Sequence, residues 1–333
     1  MAKADPKKLK VAKQISRSDI LLSIARNPNT SQLYVGSNDF HVYGLDPMGK
    51  KVKFTAMQGG HQSYVTGVAL AKDKIVSGGY DGKLIWSDAK SGKQLHKVGA
   101  HTRWIRRVRA TSDGKYVVSV ADDMVCRIWD VEKAMLAREL RGHKVMTPHN
   151  YRSMMHACAI SPDNKYLATA DKVGHVVVWD FATGKQLVAL DAPKMYTWDP
   201  RQRIHSIGGI RALAFSPDNK QLAVGGIGQI GNIDHLGAKA RLEVFDWQKK
   251  KRTHEFKGEA SKGIYEHLAF HHKGEWLVGA GGDHAGFIKF IDLKKNKVFK
   301  ETKAPMHVHD MVLNETSDTI YAAGHGKVVV WTL

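Results

Sequence analysis

Apolar residues along this chain come in short runs rather than at helical spacing. Tyr116-Val117-Val118-Ser119-Val120 and Val176-Val177-Val178-Trp179 are nearly continuous, the pattern of strands buried on both faces. Leu9-Lys10-Val11-Ala12-Lys13-Gln14-Ile15 alternates instead, as a strand with one wet face does. Between the runs stand turn signals such as Ser161-Pro162-Asp163-Asn164, Ser216-Pro217-Asp218-Asn219 and Ser112-Asp113-Gly114. No stretch sustains a 3.6-residue period with caps, so the pattern predicts an all-β chain.

The runs also repeat. A β-rich segment ending in an aromatic or apolar residue near Asp recurs at Leu45-Asp46, Trp86-Ser87-Asp88, Trp129-Asp130, Trp179-Asp180, Phe245-Asp246, Ile291-Asp292 and Trp331-Thr332. Successive ends are 41, 43, 50, 66, 46 and 40 residues apart, close to the roughly 40–45 residues of a four-stranded propeller blade. Seven blades are therefore expected, in one β-propeller domain covering residues 1–333, with residues 1–8 as a flexible basic N-terminus. The last repeat stops after its third strand, and the alternating stretch after Lys8 supplies the fourth. Pairing the two ends would close the ring and leave no long bare edge.

Gly60-His61, Ala100-His101 and Gly142-His143 open three of the units. With them the chain resembles the WD40-repeat family over essentially its whole length. The resemblance implies a buried hydrogen-bonded set in each well-kept blade: His61, Ser77, Asp81 and Trp86 in the second, His101, Ser119, Asp123 and Trp129 in the third. In the fourth unit His143, Thr169 and Trp179 match, while Asp171 falls two residues early and a long loop follows His143. These residues are read as structural, since a buried polar group is costly unless paired and a closed network fixes the turn. The resemblance also implies work by binding rather than catalysis.

Composition adds one departure from the ordinary: 51 Lys plus Arg against 32 Asp plus Glu, a net charge of +19. Such a field attracts anionic partners but does not bear on the fold. No apolar run nears the roughly 20 residues of a membrane span, and the Lys-rich start lacks a signal-peptide core after it, so a cytoplasmic location is expected. Cys126 and Cys158 fit neither a disulfide framework nor a zinc motif. Gly226-Ile227-Gly228-Gln229-Ile230-Gly231 matches GxGxxG, but residues 232–239 lead to a strand and not to the helix that dinucleotide binding requires. His307 and His309 share a strand face, with no further ligand assignable, and are read as hydrogen-bonded strand residues. No hydrolase, metalloprotease or P-loop motif is present. No catalytic residue, cofactor, metal or small-molecule substrate is expected.

Three insertions remain: Lys144 to Ser153, Ala192 to Gly209 and Gly228 to Ala240. In a propeller all three would emerge on one face, called the top face here, where sheet-joining loops and second-to-third-strand turns lie. They carry His149, Tyr151, Arg152, Tyr196, Trp198, Arg201, Arg203 and His205. The third blade adds Arg103, Trp104, Arg106 and Arg107, and the fifth adds Arg211 at the register of Arg106. Tyr, Trp and Arg dominate interface hot spots, so these residues are the expected partner-binding set. The expected partner is a protein with an acidic or amphipathic segment; nucleic acid or a ribonucleoprotein is the alternative, suggested by the charge. Lys7-Lys8, Lys249 to Arg252 and Lys294 to Lys297 belong to the opposite face and rim, where lysines deter edge-to-edge pairing.

Overall fold

The structure is a computed structural model, and it describes residues 4–201, 205–231, 237–258 and 261–333. The described strands form five four-stranded antiparallel sheets, one six-stranded sheet and a two-stranded ribbon. The four-stranded sheets begin with the inner strands Val65–Ala71, Ile105–Ala110, Met155–Ile160, Ile210–Phe215 and Ile264–Phe270. This is an all-β propeller, but the expected seven separate blades are corrected to six sheets of blade size. The reason lies in two long strands. Lys10–Arg26 pairs with Thr319–Thr332 through its first part, Lys10 opposite Thr332 and Ile15 opposite Val328. Its second part pairs with Leu33–Ser37, Ile24 opposite Val35. The first and last repeat units thus share one sheet, which carries both ends of the chain.

The hydrophobic cores lie between neighbouring sheets. Trp86 and Val76 of one sheet pack with Ile105, Val117 and Trp129 of the next, and Val176, Val178 and Leu190 pack with Leu213, Phe215 and Trp247. Inner strands crowd toward the axis: a Cβ on Gly67 would lie 2.6 Å from both the backbone nitrogen and a methyl group of Val108 on the neighbouring inner strand. Glycine is what permits that approach.

The family-type networks are built. His101 donates from Nδ1 to Asp123 at 3.0 Å, Ser119 joins His101 Nε2 at 2.7 Å, and Trp129 Nε1 donates to Ser119 Oγ at 2.9 Å. The fourth unit is as complete, with His143 to Asp171 at 2.9 Å, His143 to Thr169 at 2.8 Å and Trp179 to Thr169 at 2.9 Å. The early position of Asp171 is therefore no obstacle. In the second unit His61 meets Asp81 and Ser77, but Trp86 Nε1 is buried without a hydrogen-bond partner among the described residues. Burial would raise the Asp81 carboxyl, yet the hydrogen bonds from His61 and the Gln62 N–H outweigh it and set it at about 2. Ser119→Ala should cost about 1–3 kcal/mol, because it strands both His101 and Trp129. Ser77→Ala, which strands His61 only, should cost less; urea midpoints of the two variants check the order.

Candidate interaction surface and channel

A row of aromatic rings crosses the top face from the first repeat unit to the third. Phe40, in the turn after Leu33–Ser37, neighbours Tyr64, which precedes the inner strand Val65–Ala71, at 6.1 Å between ring centroids. Tyr64 lies 5.7 Å from Tyr80, and Tyr80 stacks on Trp104 at 4.4 Å and 7°. Phe40, Tyr64 and Trp104 are 39%, 43% and 49% exposed, unusually open for such large apolar rings. Phe40 adopts φ 78°, a left-handed conformation that an aromatic residue rarely takes.

Arg106 anchors the row from below. It grips Asp122 through two hydrogen bonds of 2.9 and 2.7 Å, donates to the Tyr80 hydroxyl at 2.7 Å, and lies 5.0 and 5.1 Å from the Tyr80 and Trp104 ring centres. A bidentate guanidinium–carboxylate pair is rigid, so the rings above it are held in place. Beside Trp104 opens a cleft of about 350 Å³ lined by Tyr80, Gly82, Arg103, Asp122 and Met154.

The three insertions do meet, but largely by packing on each other. Tyr196–Asp199 and His205–Gly208 pair into the ribbon, and Met146 bridges to Arg152 in the preceding loop. His149 stacks on Trp198 at 4.2 Å and hydrogen-bonds the Tyr196 hydroxyl at 2.9 Å; Tyr151 meets His205 edge-on at 5.1 Å. The N–H of Ile230 donates to Thr197 Oγ1 at 3.0 Å, which ties in the third insertion. Trp198, Tyr196, Tyr151 and His149 are half-buried by these contacts, while Arg103, Arg152, Arg201 and His205 are exposed. Arg203 lies outside the described residues, as does part of the glycine-rich segment beyond Gly231.

Arg107 is not on the top face: it points into the central channel, because successive inner-strand residues turn to opposite sides. Arg107 is 7% exposed, donates to the Glu266 carbonyl at 3.2 Å and approaches Asp310 at 3.6 Å. Arg109 crosses to Asp310 at 3.0 Å, and Asp310 also accepts the Ile24 N–H at 3.2 Å and meets His267. One carboxylate thus links inner strands of four repeat units. Toward the top, Arg211 contacts His156, its Nε is buried without a hydrogen-bond partner among the described residues, and the nearby Lys172 is buried. Neither cation forms an ion pair among the described residues. Burial holds both below their ordinary basicity, with Arg106 adding to the repulsion.

The buried histidines make the fold acid-sensitive. Burial lowers His101 and His267 in spite of their aspartates, and lowers His156 strongly, with Arg211 next to it. All three are neutral in the folded chain, whereas an unfolded histidine takes up a proton near pH 6.5. Stability is therefore complete above about pH 6.5 and lost as pH falls, by up to about 1.4 kcal/mol per group per pH unit. His307 opposes this: burial would lower it, but Glu266 holds it above the ordinary value. Denaturant midpoints should fall between pH 7 and pH 5; a flat profile would contradict the neutral assignment.

Of the residues in this row, the sequence pattern pointed to Trp104 and Arg106 and not to Phe40, Tyr64 or Tyr80. The available signal was register. Tyr64 stands just before its inner strand as Trp104 does, and Phe40 and Tyr80 occupy turns between second and third strands.

Known proteins share this repeat. The family described as WD domain, G-beta repeat matches residues 92–130 and 137–180. "Nuclear distribution protein PAC1" of Arthroderma benhamiae is 26% identical over 218 residues, 62% of this chain and 44% of that protein. "Apoptotic protease-activating factor 1" of Homo sapiens is 28% identical over 169 residues, 50% of this chain and 12% of that protein. "Protein HIRA" of Dictyostelium discoideum is 29% identical over 146 residues, 37% of this chain and 12% of that protein. The match thus spans under half the length of each of these relatives.

Proposed function

Because this chain belongs to the WD40-repeat family of β-propeller proteins, whose members generally serve as protein-interaction scaffolds, we propose that it is a non-catalytic platform that grips a protein partner on its top face. One observation carries this reading: Phe40, Tyr64 and Trp104 expose a continuous row of rings braced by the Arg106–Asp122 pair. Rigid aromatic rings lose little entropy when covered and bury large area, which is why they serve as binding anchors. Half-buried Arg211 and buried Lys172, near Arg106 and outside any ion pair among the described residues, favour an acidic side chain of the partner entering the channel mouth. Exposed Arg152 and Arg201 on the interlocked insertions would extend the contact. What the relatives are named for, nuclear distribution or apoptotic protease activation, lies outside this proposal; the shared property is the platform. A cytoplasmic location belongs to the same proposal.

The second reading, nucleic acid or ribonucleoprotein binding, has its own observation. An open groove of about 900 Å³ on the opposite face is rimmed by Lys51, Lys53, Lys72 and Lys90. The net charge of +19 adds to its attraction for phosphate. Affinity capture from host extract, with and without nuclease at two salt concentrations, separates the readings. A partner retained after nuclease and at high salt supports the platform; loss on nuclease, with a steep salt dependence, supports nucleic acid.

A further inference from the structure

Three histidines of the last repeat unit meet at the top rim of the channel. His307 precedes the strand Val308–Leu313, His309 lies within it, and His325 sits at the bend of Thr319–Thr332. One ligand nitrogen from each ring lies within 4.8 Å of the other two, and ring centroids are 4.5, 5.2 and 4.8 Å apart. His307 donates its Nδ1–H to the Asp283 carbonyl at 2.7 Å. In the neutral ring that bond leaves Nε2 as the lone-pair donor, the arrangement by which proteins orient metal-bound histidine, and a metal ion displaces the proton that Glu266 favours there. Nε2 of His307 and Nε2 of His309 are both buried without a hydrogen-bond partner among the described residues. Glu266 stands 3.8 Å from the former, beyond hydrogen-bond reach.

We propose that His307, His309 and His325 form a binding site for a divalent transition-metal ion of the zinc type. Two buried imidazole nitrogens without a hydrogen bond, beside a third imidazole, are costly for a purely structural cluster, whereas a metal satisfies all three rings at once. Imidazole suits Zn²⁺, Ni²⁺ and Cu²⁺ and disfavours Ca²⁺ and Mg²⁺. Zinc–nitrogen bonds of about 2.0–2.1 Å at tetrahedral angles bring ligand nitrogens to roughly 3.4 Å, so the rings must close in by about 1.4 Å. His325 is exposed, and its ring contacts are with His307 and His309 themselves, so its rotation toward them meets little resistance. Three protein ligands leave a fourth position open. From sequence only His307 and His309 were visible as a pair; the strand bend supplies the third ligand.

The test is a calorimetric titration of the untagged, chelator-stripped full chain with ZnCl₂ at neutral pH. One equivalent should bind, and His309→Ala and His325→Ala should each weaken binding at least about tenfold. His284→Ala should bind as the wild type does, since that ring is exposed and paired with Asp283. Circular dichroism of metal-free His325→Ala should match the wild type, so that exposed position decides the matter if His309→Ala misfolds. Absence of binding to the wild type, unchanged affinity in His325→Ala, or equal loss in His284→Ala would overturn the site.

Discussion

Asp310→Ala should destabilise the protein by about 3–5 kcal/mol, among the largest single losses the fold can suffer. The Asp310 side chain is wholly buried and takes charge-assisted contacts from Arg109 at 3.0 Å, Arg107 at 3.6 Å and the His267 ring. It also accepts the backbone N–H groups of Ile24 and Met311 at 3.2 and 3.1 Å. Burial would raise its carboxyl, but Arg109, His267 and Arg107 hold it well below the ordinary range. Removing it leaves two arginines in the channel without their counter-charge and frees the amide that ties the first unit to the last. Uncompensated buried charge costs more than the pair contributes, which is why the expected loss is large. Asp310→Asn keeps an acceptor for Ile24 and should recover part of the loss. Equilibrium urea unfolding reads both values, and a loss below about 1 kcal/mol for the alanine variant would mean that water fills the channel and shields the arginines.

The second large effect is on binding. Tyr64→Ala with Trp104→Ala should weaken partner capture by at least about 30-fold, or about 2 kcal/mol, the scale of hot-spot truncation. Both rings are exposed, so stability should change by about 1 kcal/mol or less, mostly the lost stacking of Trp104 on Tyr80. Thermal unfolding and partner affinity, measured on one preparation, separate the two. By contrast Trp198→Ala should loosen the ribbon, because Trp198 is sandwiched among His149 and Tyr151. Equal losses of affinity from both changes would move the centre of the surface back to the insertions.

Local pattern carried much of the fold. Short apolar runs and turns such as Ser161-Pro162-Asp163-Asn164 and Ser112-Asp113-Gly114 marked the strands, and the pairing of residues after Lys8 with the last strand comes from two half-blades left at opposite ends. The blade count was not legible in the same way. Lys10–Arg26 serves two repeat units, the last through its first part and the first through its second, and a repeat measured by its Trp-Asp ends does not register where a sheet continues. The network of the fourth unit was legible in residue type and not in spacing, since Asp171 reaches His143 from a position two residues short of the usual one. For the site, residue chemistry pointed to Arg and aromatic side chains, while the axis was invisible. Arg106 and Arg107 are neighbours in sequence, yet one braces the top face and the other points at Asp310. A strand turns successive side chains to opposite sides, and only the ring's geometry says which side is channel.

Photo-crosslinking tests the top-face claim most directly. A photoreactive phenylalanine analogue is placed at position 64, 104 or 136 of the full chain, and the partner recovered by capture is irradiated on each. Leu136, on the outer strand Met135–Leu140 and 46% exposed, is as open as the two top-face positions but lies on the rim. The account predicts covalent products with the same partner from positions 64 and 104 and none from 136. Products from 136 alone would contradict it.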